Sequence, residues 1–346
     1  MSAPAEHRYD AVVIGAGNGG MAAACQIAVG GKSVLLLEQH NIVGGFSTSF
    51  VRGRFEFEAS LHELCELGTA ADKGILYRMF EDLGIDVDWI RVPEAYRLLV
   101  PGGENDRIDA ILPFGIDEYV EAVEGYCPGS RESVRRFFEL AGEMCDAMVY
   151  VQDLQTDIGT LSKPYMLRHY PNFLKAGAYT VEEVFEALAM PKRAREILSA
   201  YWCYLGVPLD RMDFAFYGYM VYEYIKRGAY IPRYRSTEFA QAFEKRIRQC
   251  GGDVWCGVKA EKVLVENGRV TGVITDQGQR ILTKQVVCNA SPYHLYSEMI
   301  SPAEAVPKQA LREIGGRTPS VSGFVIFIGL DRTAAKRRVG RPDVED

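Results

Sequence analysis

Residues 10–20 read Asp10-Ala11-Val12-Val13-Ile14-Gly15-Ala16-Gly17-Asn18-Gly19-Gly20, and the fold class follows from this stretch. The run over 10–15 is short, apolar and β-branched, as in a parallel strand covered on both faces. The alanine-rich residues 18–30 predict a helix. Residues 34–37 predict a second buried strand, which ends at Glu38. A bare G-x-G-x-x-G is a weak signal. Here it follows a strand and opens a helix, and an acidic residue lies 23 positions after the first glycine. That context marks a dinucleotide-binding β-α-β unit.

Each position has a physical role. Gly15 permits the tight turn, Gly17 lets a pyrophosphate approach the backbone, and Gly20 allows close packing of helix on strand. Ala16, Asn18 and Gly19 complete the loop, whose free N–H groups and helix dipole face a diphosphate. Glu38, with Gln39 beside it, is placed to accept hydrogen bonds from ribose hydroxyls. It would repel a 2′-phosphate, which disfavours NADP. Gly44-Gly45 follow six and seven residues after Glu38. They form either an ordinary turn or a second close approach to an extended cofactor. The second alternative favours FAD over NAD.

The rest of the sequence bounds this picture. A chain of 346 residues accommodates roughly two domains of about 150 residues each, with an ordinary apolar share of 48%. A net charge of −7 with dispersed basic residues argues against nucleic acid as a partner. The short run Lys336-Arg337-Arg338 reads as solvated surface. No apolar stretch approaches the roughly 18 residues of a spanning helix, and the first residues show no signal-peptide pattern. Eight cysteines without a Cys-x-x-Cys pair form no metal or disulfide framework. A reduced, cytoplasmic setting is expected, with peripheral membrane contact left open along with the oligomeric state.

Further along, the spacing predicts a helix over 72–91, strands over 96–100 and 108–112, and helices over 116–126 and 130–150. More helix is predicted within 180–227. A helix over 237–250 leads to β segments over 254–265, 270–275 and 280–288, with a two-residue hairpin turn at Asn267-Gly268. A last strand is predicted over 323–330. The order implies an α/β fold: a discontinuous Rossmann-type domain (1–72 and 236–300) carrying an inserted α+β substrate or cap domain (73–235 and 301–346).

The loop 15–20, Glu38, Gly44-Gly45 with Ser47-Thr48-Ser49, and Phe55-Glu56-Phe57-Glu58 resemble one group of FAD-dependent oxidoreductases. It is the group related to phytoene desaturase, carotenoid isomerase and retinol saturase, within the superfamily that includes amine oxidases. Gly228-Ala229-Tyr230-Ile231-Pro232 and Val287-Cys288-Asn289-Ala290-Ser291-Pro292 resemble its later segments. The resemblance implies FAD, and it implies an adenine contact through the backbone of Ala260 or a near neighbour. Two departures stand out. Arg235-Ser236 replace a usual Gly-Gly, so a different backbone path is expected there. The family's closing glycine-rich segment and last helix are also not found in these residues. A fragment, or a wall supplied by another chain, is therefore expected, with a truncated non-catalytic flavoprotein or a subunit of a complex as the rival to an enzyme.

Residues 201–234 hold eleven aromatic side chains. They form either a tunnel wall for a long apolar substrate or a self-packed helical core. His62-Glu63 are a candidate acid/base pair near the flavin, or structural. No nucleophile or metal constellation is visible. The expected chemistry is desaturation, saturation or isomerisation of an apolar polyene or isoprenoid, with amine oxidation as the rival.

Overall fold

Four parallel strands set the frame: β1 (Ala11–Ile14), β2 (Val34–Glu38), β3 (Asp253–Cys256) and β4 (Val286–Cys288), in the spatial order β3-β2-β1-β4. The computed structural model describes residues 7–103, 107–156, 162–318 and 322–331. Alternate residues of β1 and β2 feed two different cores. Ala11, Val13, Val34 and Leu36 pack with Met21, Ala24, Phe239 and Phe243. These partners lie on α1 (Asn18–Val29) and α2 (Ser236–Gln249). Val12, Ile14, Leu35 and Leu37 face the opposite way, toward Val263, Val273 and Ile281. A strand buried on both faces explains the uninterrupted apolar runs in the sequence.

The second core belongs to an antiparallel sheet built from Ala260–Glu266, Arg269–Thr275 and Arg280–Leu282. Its hairpin turn has positive φ at both Asn267 (51°) and Gly268 (72°), which matches the sequence expectation. The segments predicted over 254–265 and 280–288 each divide into two strands that belong to different sheets. The chain leaves β3 through Gly257, whose φ of 70° turns it toward the second sheet. It returns to the first sheet past Thr283, whose hydroxyl donates to the carbonyls of Asp10 and Gln285. Ile300 and Ser301, which straddle the 300/301 boundary of the sequence-based division, pair in parallel with Val263 and Leu264 of this sheet.

The insert begins with a helix shorter than the one expected over 72–91. It spans Ile75–Leu83 and stops at Gly84, in the left-handed region. Trp89–Arg91 then form a strand against Tyr230–Pro232. The hairpin Tyr96–Val100/Ile108–Leu112 forms as expected. Helices Ile116–Tyr126, Arg131–Thr156 and Phe214–Arg227 surround a core containing Tyr119, Phe137, Phe185, Phe214 and Tyr217. Of the eleven aromatics over 201–234, Tyr201, Phe214, Tyr217, Tyr224 and Tyr230 are buried. To that extent the cluster is core.

Residues 322–331 form no regular element and pair with no strand among the described residues, so the strand expected over 323–330 is not formed. Phe327 rests on Phe50 and Phe57, at 4.9 and 5.5 Å between ring centres. These two belong to the hairpin Ser49–Arg52/Phe55–Glu58. The basic run at 336–338 lies outside the described residues.

A buried ionic cluster holds the insert to the segment before it. Glu223 is 2% exposed, pairs with Arg227 and accepts from the Cys145 thiol at 2.9 Å. Arg227 also reaches Asp72 at 3.3 Å. Removing the carboxylate leaves a mostly buried guanidinium short of its main partner. Glu223→Ala is expected to lower the unfolding free energy by about 3 kcal/mol, read as a fall in the urea midpoint at unchanged slope.

Candidate functional site

The glycine loop sits at the carboxyl ends of β1 and β2. Gly15 has φ 91° and donates its N–H to the Leu37 carbonyl at 2.8 Å. Gly17 is the N-cap of α1, and no side chain caps that terminus. The first-turn N–H groups therefore have no intrahelical partner. Gly20 has no room for a side chain, because a Cβ there would lie 1.9 Å from the Gly15 oxygen. At Gly17 and Gly19 a Cβ would meet only the Asn289 side chain, at 3.3 and 2.9 Å.

Glu38 closes on this loop. One carboxylate oxygen accepts from the Ala16 N–H at 2.7 Å, and the other accepts from the His40 N–H at 2.8 Å. Gln39 is exposed beside it. The Gly44 N–H donates to the Ala16 carbonyl at 2.8 Å. Gly45 lies against Gly17, where a Cβ would come 3.1 Å from the Gly17 Cα. The pair thus extends the bare backbone floor of the loop. The Val258 N–H donates to the Glu38 carbonyl at 2.9 Å, which places Ala260, two residues on, at the same end of the sheet. The structure therefore brings Gly15–Gly20, Glu38, Gly44 and Gly45 together, with Ala260 two residues beyond the Val258 contact.

Asn289 is the position that sequence reasoning did not assign to the site. Its N–H donates to the Ile14 carbonyl, and its side chain lies over Gly17 and Gly19. The signal was present in the Asn-Ala-x-Pro turn at a strand end, but the pairing of that strand with β1 is a tertiary fact.

This arrangement fits the ADP half of a dinucleotide. It offers uncapped helix N–H groups, a glycine floor bordered by the Asn289 side chain, and a carboxylate with lone pairs beyond the two in use. Arg235, where a glycine pair was expected, precedes α2 with φ 81° and ψ 170°. The backbone thus takes a conformation natural to glycine, with arginine in it. Ser236 behind it is buried and bonds the Glu58 carboxylate.

Fold and site together define a dinucleotide-binding protein of the Rossmann type. Residues 19–344 match the family of flavin containing amine oxidoreductases, and the chain belongs to that family. FAD is its cofactor. Among curated relatives, the all-trans-retinol 13,14-reductase of Rattus norvegicus is 26% identical over 335 residues, covering 94% of this chain and 54% of that protein. A chloroplastic prolycopene isomerase of an Oncidium hybrid cultivar is 22% identical over 315 residues, covering 87% and 51%. The chain spans about half the length of the curated relatives it matches. An oxidoreductase structure from Methanosarcina mazei shares the fold, with a TM-score of 0.64 at 18% identity over 89% of this chain and 65% of that one.

Three outcomes test the local geometry. Gly20→Ala should destabilise by about 1–3 kcal/mol through overpacking. Gly125→Ala, which meets nothing within 4 Å, should stabilise by about 0.5–1 kcal/mol. Arg235→Gly should stabilise by about 1 kcal/mol by releasing backbone strain, with its exposed ion pair to Glu56 contributing little. Chemical denaturation of the three variants checks all three.

Proposed function

We propose that this chain is an FAD-dependent oxidoreductase acting on C–C or C=C bonds of an apolar polyene or isoprenoid-type substrate. The observation that carries the cofactor side is the carboxylate-clasped glycine loop under an uncapped helix terminus. The substrate side is supported by relatives named for retinol reduction and prolycopene isomerisation.

In this reading, the N–H groups of residues 17–20 hold the diphosphate. Glu38, with Gln39 beside it, meets the ribose hydroxyls. Ala16, Gly44 and Gly45 form the floor. The backbone near Ala260 faces the adenine, and the Asn289 side chain borders the loop. When bound, FAD supplies the hydride chemistry at the carbon–carbon bond. The protein contributes orientation and exclusion of water. Residues 1–72 and 236–300 serve the cofactor, and the insert 73–235 serves the substrate.

An apolar polyene resides in bilayers, so peripheral membrane contact belongs with this proposal. Among the described residues no helix is long and apolar enough to cross a membrane.

Purified chain should be yellow, or become so on addition of FAD, with the visible absorption bands of a bound flavin. Glu38→Ala should weaken FAD binding about 10–100-fold through loss of charge-assisted hydrogen bonds. Photoreduced flavoprotein should be reoxidised by an apolar polyene and not by an amine or its imine product. A colourless protein that FAD cannot reconstitute would overturn the proposal.

A further inference from the structure

Two short helices, Lys163–His169 and Pro171–Ala176, rest on the long helix Arg131–Thr156. Two contacts fix them. The Glu143 carboxylate accepts from the backbone N–H groups of Asn172 and Phe173 at 2.6 and 3.2 Å, and from the Asn172 amide at 2.6 Å. The Tyr150 ring stacks on Tyr165 at 4.7 Å, and Tyr165 on His169 at 4.2 Å. Glu143 and Tyr150 are two turns apart on one face of the long helix. Both short helices are therefore held from the same side, where Met166 and Ala176 are buried.

The free side carries a repeated pair. Leu167-Arg168 and Leu174-Lys175 are exposed, the leucines at 63% and 46%. Lys163 is exposed as well, and none of these three cations is ion-paired among the described residues. The Phe214 N–H donates to the Tyr179 carbonyl at 3.1 Å, which sets exposed Tyr179 beside the helix that bears exposed Phe216. Residues 162–180 contain no Asp or Glu, in a chain of net charge −7. The neighbouring carboxylates lie beneath this layer or at its border. Glu143 is engaged by Asn172, Asp146 is on the long helix near Tyr170, and Asp213 caps the helix that begins at Phe214.

Leucines beside cations, with tyrosines at the edge, suit the boundary between lipid headgroups and acyl chains. Exposed leucines gain nothing from a free phosphate or a nucleic acid. Cations spread over two helices do not converge on one anion either. An array of anionic headgroups above an apolar layer satisfies both.

We propose that this face docks on a bilayer containing anionic lipid. Lys163, Arg168 and Lys175 meet the headgroups, and Leu167 and Leu174 enter the boundary with the acyl chains. The assignment supplies a surface for the peripheral contact joined to the proposed function. It rests on that reading only for the reason to be at a membrane, since an apolar substrate must be taken from one.

The test is co-sedimentation of the full chain, with and without FAD, on two kinds of vesicle at low ionic strength. One is phosphatidylcholine alone, and the other carries added phosphatidylserine. The anionic vesicles should bind about 100-fold more tightly, at about fivefold for each of three cations. Molar salt should abolish the difference. The triple variant Lys163→Gln/Arg168→Gln/Lys175→Gln should remove the preference. The double variant Leu167→Ser/Leu174→Ser should weaken binding to both vesicles about tenfold. All five side chains are exposed, so unfolding temperature and FAD affinity should stay unchanged and show the variants intact.

No binding to anionic vesicles, or equal binding to both kinds, would overturn the proposal. So would vesicle binding that neither variant alters, which would put the contact on another surface. Self-association that the leucine substitutions abolish, without vesicle binding, would overturn it in favour of a second copy of the chain. If vesicles do not bind but FAD and a polyene do, the docking face falls and the proposed function stands. If vesicles bind as expected but FAD does not, the docking face stands and the proposed function falls.

Discussion

The clasp between the Glu38 carboxylate and the N–H groups of Ala16 and His40 is the constraint on which the site depends. It fixes the glycine loop against the end of β2 while leaving the outer face of the loop bare. Two other segments are tied to the same point. The Ala16 carbonyl accepts from Gly44, which brings the second glycine pair under Gly17. The Glu38 and His40 carbonyls accept from Val258 and Gly257, where the chain crosses from one sheet to the other. One carboxylate and two short backbone stretches thereby register the first helix, the second glycine pair and the antiparallel sheet. A charged group in this role is stable because charge-assisted hydrogen bonds to N–H groups offset its partial burial.

The parts of this arrangement that were legible in the sequence are those set by local sterics. Gly20 has to be glycine because of the Gly15 oxygen one turn away, and Asn267-Gly268 specify their own turn. The apolar runs of β1 and β2 announced burial on both faces. What escaped was decided by distant partners. The division of 254–265 into two strands depends on which sheet each half can join. Its local trace was a single glycine, Gly257, among ordinary strand formers. Asn289 became a site residue only through the pairing of β4 with β1. Residues 323–330 have strong strand propensity, but propensity supplies no partner strand.

Arg235 illustrates the opposite case. A missing glycine suggested a changed path, yet the backbone keeps a glycine-like conformation with a long side chain in place. The surroundings hold it there. The Glu58 carboxylate engages the N–H of Ser236, and the Arg235 guanidinium is drawn to Glu56 at 3.1 Å. Strain at one residue persists when neighbouring contacts over-determine its geometry. Residue identity at a turn is therefore weaker evidence of path than the contacts on either side of it.

Besides Asp72, which pairs with Arg227, the stretch from the end of the hairpin to the insert carries three carboxyls, Glu58, Glu63 and Glu66. Each is engaged by a neutral hydroxyl, from Ser236, Tyr204 and Tyr219 respectively. Burial raises all three above the ordinary carboxylate range. Glu223, a short distance away in the same network, is instead matched directly by Arg227. The contrast separates two uses of a buried acid. Glu223 is charge-paired and fastens helices together. Glu58, Glu63 and Glu66 are held instead by hydroxyl donors, and their burial opposes the charged form.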